Sequence, residues 1–237
     1  RFVASGGLRS GGKGAKKTVP VWNARCRSCP PPLPGNPAMN DPGPLSSGTA
    51  SPVLEALLTR HSIPAQLLRA PGPEGELLHR ILETALRAPD HGGLHPWRFV
   101  LIRGEARTRW AAAVEEAMRA RDPSVTQPMI DKQCGRILNA PLTIAVAAHI
   151  REGKIPEVEQ ILTVGAGVMN LLNAFHAEGF GAIWLTGANG YDSILARRLG
   201  LGEGERLLGY VFVGTPDGEV RPSRRPELSA HVTDWAG

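Results

Sequence analysis

Residues 141–187, PLTIAVAAHIREGKIPEVEQILTVGAGVMNLLNAFHAEGFGAIWLTG, decide the fold. LTIAVAAH (142–149) is an unbroken apolar run of strand length, the pattern of a strand covered on both faces. Glu157 to Glu178 then reads as one long helix. Its apolar side chains, among them Ile161, Leu162, Val164, Val168, Met169, Leu171 and Leu172, lie nearly all round it. Such a helix is central in the fold or sits at a subunit interface. FGAIWL (180–185) returns to strand.

The same alternation extends outward. VLEALLTR (53–60) carries apolar residues at 53, 54, 57 and 58, one face of a short helix. GELLHRILETALRA (75–88) repeats them at 77, 78, 81, 82 and 85, with Pro89 as the stop. WRFVLI (97–102) predicts a strand, Glu105–Ala120 a helix, and Pro128–Leu138 another that Pro141 closes. Asp192 is the expected cap of a helix through Leu199, and RLLGYVFVG (206–214) is the last strong strand. The closing PSRRPELSAHVTDWA reads as extended and polar. Strands separated by helices, with no internal repeat, indicate an α/β or α+β sandwich with one central sheet; the expectation over residues 51–237 is α+β, a central mixed sheet flanked by helices.

Residues 1–50 read as a disordered basic leader. They are rich in Gly, Pro and Ser and lack a hydrophobic period, so they cannot offset their ordering entropy. Residues 1–38 hold seven Lys/Arg and no Asp or Glu; the remaining 20 basic residues face 22 acidic ones, a net of −2. The overall charge of +5 therefore belongs to the tail, and a nucleic-acid partner is not expected. Met39 is the expected translation start. The acid-free, Arg-rich leader has the charge of a transit peptide, but its prolines and missing amphipathic period argue against one. Gly7-x4-Gly12-Lys13 imitates a phosphate loop, but Gly14 stands where Ser or Thr would hold magnesium, and no strand precedes it. Cys26 and Cys29 form a C-x-x-C without the second ligand pair that zinc needs, and Cys134 has no neighbour in sequence. No run approaches a membrane span, and a reducing cytoplasm is the expected compartment.

Two stretches carry candidate chemistry. Arg60-His61-Ser62, just after the first helix, offers the cations and hydroxyl that a phosphate needs. Arg87-Ala88-Pro89-Asp90-His91-Gly92-Gly93-Leu94-His95-Pro96-Trp97 packs an Arg, an Asp and two His into one loop, more than a bare connection requires. Asp90, His91 and His95 lack the second cluster that a metal site would have, so no metal is expected.

Taken with AEGFGAIWLTG (177–187) and GYVFVGTP (209–216), these stretches are similar to the nitroreductase family, and most of all to its small branch of NAD(P)H nitroreductases. The resemblance runs from about Val53 to Pro226, with the motifs in the family's order. It implies an FMN-dependent homodimer that uses NAD(P)H to reduce a small-molecule acceptor, such as a nitroaromatic or quinone, by ping-pong hydride transfer. It assigns Arg60, His61 and Ser62 to the FMN phosphate and ribityl region, although His61 stands where Arg is commoner. Arg87 and His91 match flavin-contacting positions that reach the cofactor from the partner subunit. Trp184, Leu185, Thr186 and Gly187 match the strand end against the isoalloxazine; Leu185 replaces a residue that can be polar. Ala174, Phe175, His176, Ala177, Glu178 and Gly179 match a segment assigned to NAD(P). Arg224 or Arg225 is expected to complete the phosphate site. No side-chain nucleophile or general base is implied, because the flavin carries the chemistry. Another flavin reaction on the same fold (enone reduction, dehalogenation, dehydrogenation) or a non-catalytic flavin carrier are the rival readings.

Overall fold

Strand β3 (Leu142–His149) is the middle of the molecule in the computed structural model, which describes residues 51–220 and 224–237. The expected leader, with Met39, Cys26, Cys29 and the phosphate-loop imitation, lies outside the described residues. β3 pairs on one side with β2 (Trp97–Arg103) and on the other with β5 (Glu205–Pro216). β5 also pairs with β4 (Gly181–Leu185) and with the short β1 (Leu68–Arg69).

The expected sheet flanked by helices is present. Its mixed character is narrowed, because all the pairings among the described residues are antiparallel. Connections explain this. Two helices, α3 (Ala106–Arg121) and α4 (Gln127–Asn139), lie between β2 and β3, so the chain returns in the opposite direction. One helix, α5 (Glu157–Ala177), lies between β3 and β4, which therefore run the same way with β5 inserted between them.

The period-two alternation of β3 sorts the two layers. Leu142, Ile144, Val146 and Ala148, with Val211 and Val213 of β5, face α5 and α2 (Gly75–Ala85). Ala145 and Ala147, with Tyr210 and Phe212, face α3, α4 and α6 (Ser193–Arg198). Of β3 only His149 is exposed, as a strand covered on both faces requires.

Helix α5 begins after Pro156, with Glu157 and Glu159 in the first turn, where the helix dipole favours acids. It ends in a left-handed cap: Gly179 has φ +81°, and the Phe180 N–H donates to Phe175 O at 2.8 Å. Val164, Val168, Leu171 and Phe175 are fully buried, each contributing about 1.5–3 kcal/mol. The sequence reading of α5 as apolar all round holds for composition but not for burial. Polar Gln160 and Thr163 are buried, whereas Val158, Leu162 and Met169 stay exposed. The inward polar groups are there because loops need donors. Gln160 accepts from Arg151 N–H (2.9 Å) and donates to Arg151 O and Ile155 O, and Thr163 Oγ1 donates to Pro89 O at 3.0 Å.

Helix α1 (Pro52–Thr59) is capped by Ser51, and α6 by Asp192, whose carboxylate accepts from the Ile194 and Leu195 N–H groups. The apolar residues of α1 (Val53, Leu54, Leu57, Leu58) are all exposed in the single chain.

Candidate functional site

A cluster of cationic groups forms where α1, the C-terminal end of α5 and the C-terminal segment meet. The Arg225 guanidinium donates to Arg60 O at 2.6 Å, so Arg225 rather than Arg224 reaches the expected phosphate segment. The His61 and His176 rings lie edge-to-face with centroids 6.3 Å apart. Thr59 Oγ1 donates to Glu55 O at 2.7 Å, so it can only accept from His176 Nε2 at 3.0 Å, which fixes the proton on that nitrogen. His61 Nδ1 faces Thr59 O at 3.1 Å and must likewise be the donor.

The electrostatics of this cluster are one-sided. Burial, followed by the charge of Arg225, holds Arg60 below the usual guanidinium value. Burial, followed by His61 and Arg60, pushes the His176 imidazole down. Every charge that shifts these two groups is a cation, so an anion placed here would relieve repulsion on both. Ser62 is exposed beside them. The Ile63 N–H donates to Ala182 O at 3.1 Å, which docks the Arg60–Ser62 segment onto the start of β4. Three residues further along β4, about 10 Å at strand rise, lies Leu185.

A bulge in β5 shapes that end of β4. Val146 opposes Gly209 and Ala147 opposes Leu207, leaving Leu208 over. The carbonyl of Leu208 accepts the Trp184 indole N–H at 3.2 Å, which sets the ring. Gly209, at φ +120°, has no room for a side chain: a Cβ there would lie 2.5 Å from Leu185 O. Past Leu185 the chain turns at Gly187 (φ +56°, ψ −173°), a conformation open to glycine alone. Thr186 and Gly187 are exposed, and Trp184 and Leu185 are half-buried.

The loop 87–95 is held from α5. Thr163 binds Pro89 O and Asn170 Nδ2 donates to Thr84 O at 2.9 Å. Gly167 permits contact with Ala85, since a Cβ there would come within 2.9 Å of Ala85 O. Glu159 Oε2 lies 2.6 Å from His91 Nδ1. These residues follow one another along a single face of α5. Asp90 is taken up by the backbone N–H groups of Leu94 (3.1 Å) and His95 (2.7 Å). Arg87 and His91 are exposed in the single chain, away from any contact with the Arg60 cluster.

The segment Ala174–Gly179, matched to NAD(P) by resemblance, is the end of α5 and its cap. Phe175 is fully buried, Ala177 and Glu178 are exposed, and His176 alone joins the cation cluster. The sequence reading missed Thr59 and Gly209. A lone glycine inside a strand pattern was the available signal for Gly209; nothing local marked Thr59.

Residues 57–215 match the family model described as the nitroreductase family. The chain belongs to that family. The Escherichia coli (strain K12) nitroreductase-family protein named "Putative NAD(P)H nitroreductase YdjA" is 38% identical over 164 residues, covering 69% of this chain and 87% of its own. A nitroreductase-like family protein from Bacillus cereus shares the fold at a TM-score of 0.68 and 23% identity, over 80% of this chain and 99% of its own. A structure described as "a putative nitroreductase in complex with fmn", from Desulfovibrio desulfuricans, superposes at a TM-score of 0.61 and 26% identity, over 80% of this chain and 100% of its own. The nitroreductase fold here contains no helix, among the described residues, long and apolar enough to cross a membrane.

Proposed function

We propose that the chain is an FMN-dependent NAD(P)H oxidoreductase that works as a homodimer and reduces nitroaromatic, quinone or related acceptors. The observation that carries this reading is the convergence of Arg60, His61, His176 and Arg225 at the start of β4, where none of them pairs with a carboxylate among the described residues. Such a cluster fits a phosphate dianion. Ser62 would add a hydroxyl, and Trp184 to Gly187 would lie along the ring system. Bound FMN would supply the two-electron chemistry, taking hydride from NAD(P)H and passing it to the acceptor.

The chain's own part is placement and electrostatics. Arg60 and Arg225 anchor the phosphate by charge-assisted hydrogen bonds. The bulge at Leu208 and Gly209 holds Trp184 and Leu185 in fixed positions. Arg87 supplies positive charge for the pyrimidine end, and Glu159 orients His91. Because loop 87–95 does not touch the Arg60 cluster within one chain, these residues act on the partner's site. A dimer is further supported by apolar surface left open in the single chain. Leu162 and Met169 on the outer side of α5 border a groove with Trp184, Tyr191 and Leu208, and α1 shows a second exposed apolar face. One substrate leaving before the next arrives gives ping-pong kinetics, with parallel initial-rate lines.

The deciding experiment is a visible spectrum of the purified protein before and after anaerobic NADPH. Flavin bands that bleach are expected. A protein that cannot be loaded with FMN would overturn the reading, and flavin that stays oxidised with either nicotinamide would point to a carrier.

A further inference from the structure

Between the β4 end and helices α3 and α4 lies a cavity of about 500 Å³, large enough to enclose a small organic molecule. Its inner walls are aromatic and aliphatic, with Trp110, Met118, Ile137 and Phe212, and the stretch Trp184–Gly187, matched to the flavin ring, closes the side toward β4. Three charged side chains face it: Arg121, Asp122 and Arg136.

Two of these are already satisfied. Arg121 pairs with the buried carboxylate of Asp192 and donates to Asn189 Oδ1 at 3.0 Å, which ties the end of α3 to the 189–192 turn. Asp122 accepts from the Ser124 N–H at 2.9 Å and hydroxyl at 2.6 Å, and it is exposed at the mouth, where solvent screens its charge. Arg136 is different. It is half-buried, and its one side-chain bond among the described residues is from Nη1 to Gln133 Oε1 at 2.8 Å. No carboxylate lies within 4.0 Å of it among those residues. Because Gln133 spends its oxygen on Arg136, its amide NH2 is left to donate. The cavity thus combines apolar, ring-lined walls with a fork of donors that has no acceptor, and a planar carboxylate supplies what that fork lacks.

We propose that this cavity binds a flat apolar molecule carrying a carboxylate, read by Arg136 and Gln133, and that this molecule is the electron acceptor. The acceptor role rests on the reductase reading above; the binding does not.

The test is calorimetry on the FMN-loaded protein with para-nitrobenzoate and its neutral isostere para-nitrobenzamide. Para-nitrobenzoate is expected to bind about tenfold or more tightly than the amide, the scale of a hydrogen-bonded charge. Arg136→Gln should bring the two dissociation constants together with little change for the amide, and Arg136→Lys should restore part of the preference. Val125→Trp, which narrows the cavity from its half-buried rim, should weaken both ligands. Failure of para-nitrobenzoate to bind, equal affinities in the wild type, or an unchanged ratio in Arg136→Gln would overturn the proposal. NADPH oxidation followed in parallel separates the two readings. Charge-selective binding without NADPH oxidation leaves the cavity standing and removes the reductase reading. Equal turnover of both probes, unaffected by Arg136→Gln, removes the acceptor role of the cavity and leaves the reductase.

Discussion

The two helical layers cover the same sheet in opposite ways. On one side α5 and α2 press against Ile144, Val146, Val211 and Val213 with fully buried Val and Leu. Gly167 brings the helices so close that a methyl group would strike the Ala85 carbonyl. On the other side the sheet offers small Ala145 and Ala147, and α3 and α4 leave a cavity of about 500 Å³ above it. Their outer surfaces differ in the reverse sense. α3 meets water with ion pairs, Arg119 to Glu115 at 2.9 Å and Glu116 to Arg198 at 2.7 Å, whereas α5 shows Leu162 and Met169. The layer packed tightly inside is unfinished outside, and the layer finished outside is hollow inside. On the proposed reading, assembly belongs to the first and ligand selection to the second.

That contrast can be broken most directly at Leu162. A carboxylate in a dry apolar interface costs several kcal/mol, so Leu162→Glu should weaken self-association by about a hundredfold or more. In the isolated chain the side chain is 65% exposed, so the monomer's own stability should hardly change. Light scattering across a concentration series reads the first and denaturant melts the second. A variant that remains as dimeric as the wild type would show that α5's outer side is not the interface.

Packing gives the next contrast. Leu171→Ala, at a site with no exposure in the tight layer, is expected to cost about 2–5 kcal/mol. Val114→Ala, which borders the cavity, should cost about 1 kcal/mol, because its wall already lacks partners on one side. Equal losses in urea titrations would mean that the layers are packed alike. Between these sides sits Gly209. A methyl group there must displace Leu185 O, so Gly209→Ala should cost about 2 kcal/mol and reduce FMN affinity together with stability. Unchanged flavin affinity in a folded variant would separate the β4 end from the cofactor.

Much of the architecture was readable because burial enforces periodicity. LTIAVAAH has the pattern of a strand covered twice, and the 3.6-residue pattern of 75–88 and the Asp192 cap placed their helices to within a few residues. The direction of the strands was not readable. It depends on β5 inserting between β3 and β4, a pairing between segments far apart in sequence. At the site, Arg60 and Arg225 were legible as types but their meeting was not, since about 165 positions separate them. His176 was assigned with a nicotinamide segment, but its hydrogen bond with Thr59 and its contact with the His61 ring put it beside the phosphate candidates. Inside α5 the pattern misled in a specific way: loop carbonyls at Pro89, Arg151 and Ile155 claimed the buried positions for Thr163 and Gln160. Apolar residues were thereby left facing out.

The smallest effect lies at His176, and its sign differs between the free and the loaded protein. Burial, then His61 and Arg60, keep this imidazole below its ordinary value. As pH falls below the unfolded value of about 6.5, the unfolded chain takes up a proton first. The stability present above that pH is therefore lost as it falls toward the depressed folded value. A phosphate dianion reverses the preference, because the protonated ring faces an opposite charge in place of cations alone. FMN affinity should consequently rise by about threefold between about pH 8 and about pH 6.5, above the range in which the phosphate sheds its second charge. His176→Gln can keep the donor to Thr59 while removing the titration. It should flatten the pH profile of FMN affinity without loosening binding at the alkaline end. A mere packing role for His176 would instead shift affinity equally at every pH. An unaltered slope in His176→Gln would remove this ring from the phosphate site and leave Arg60 and Arg225 to hold it alone.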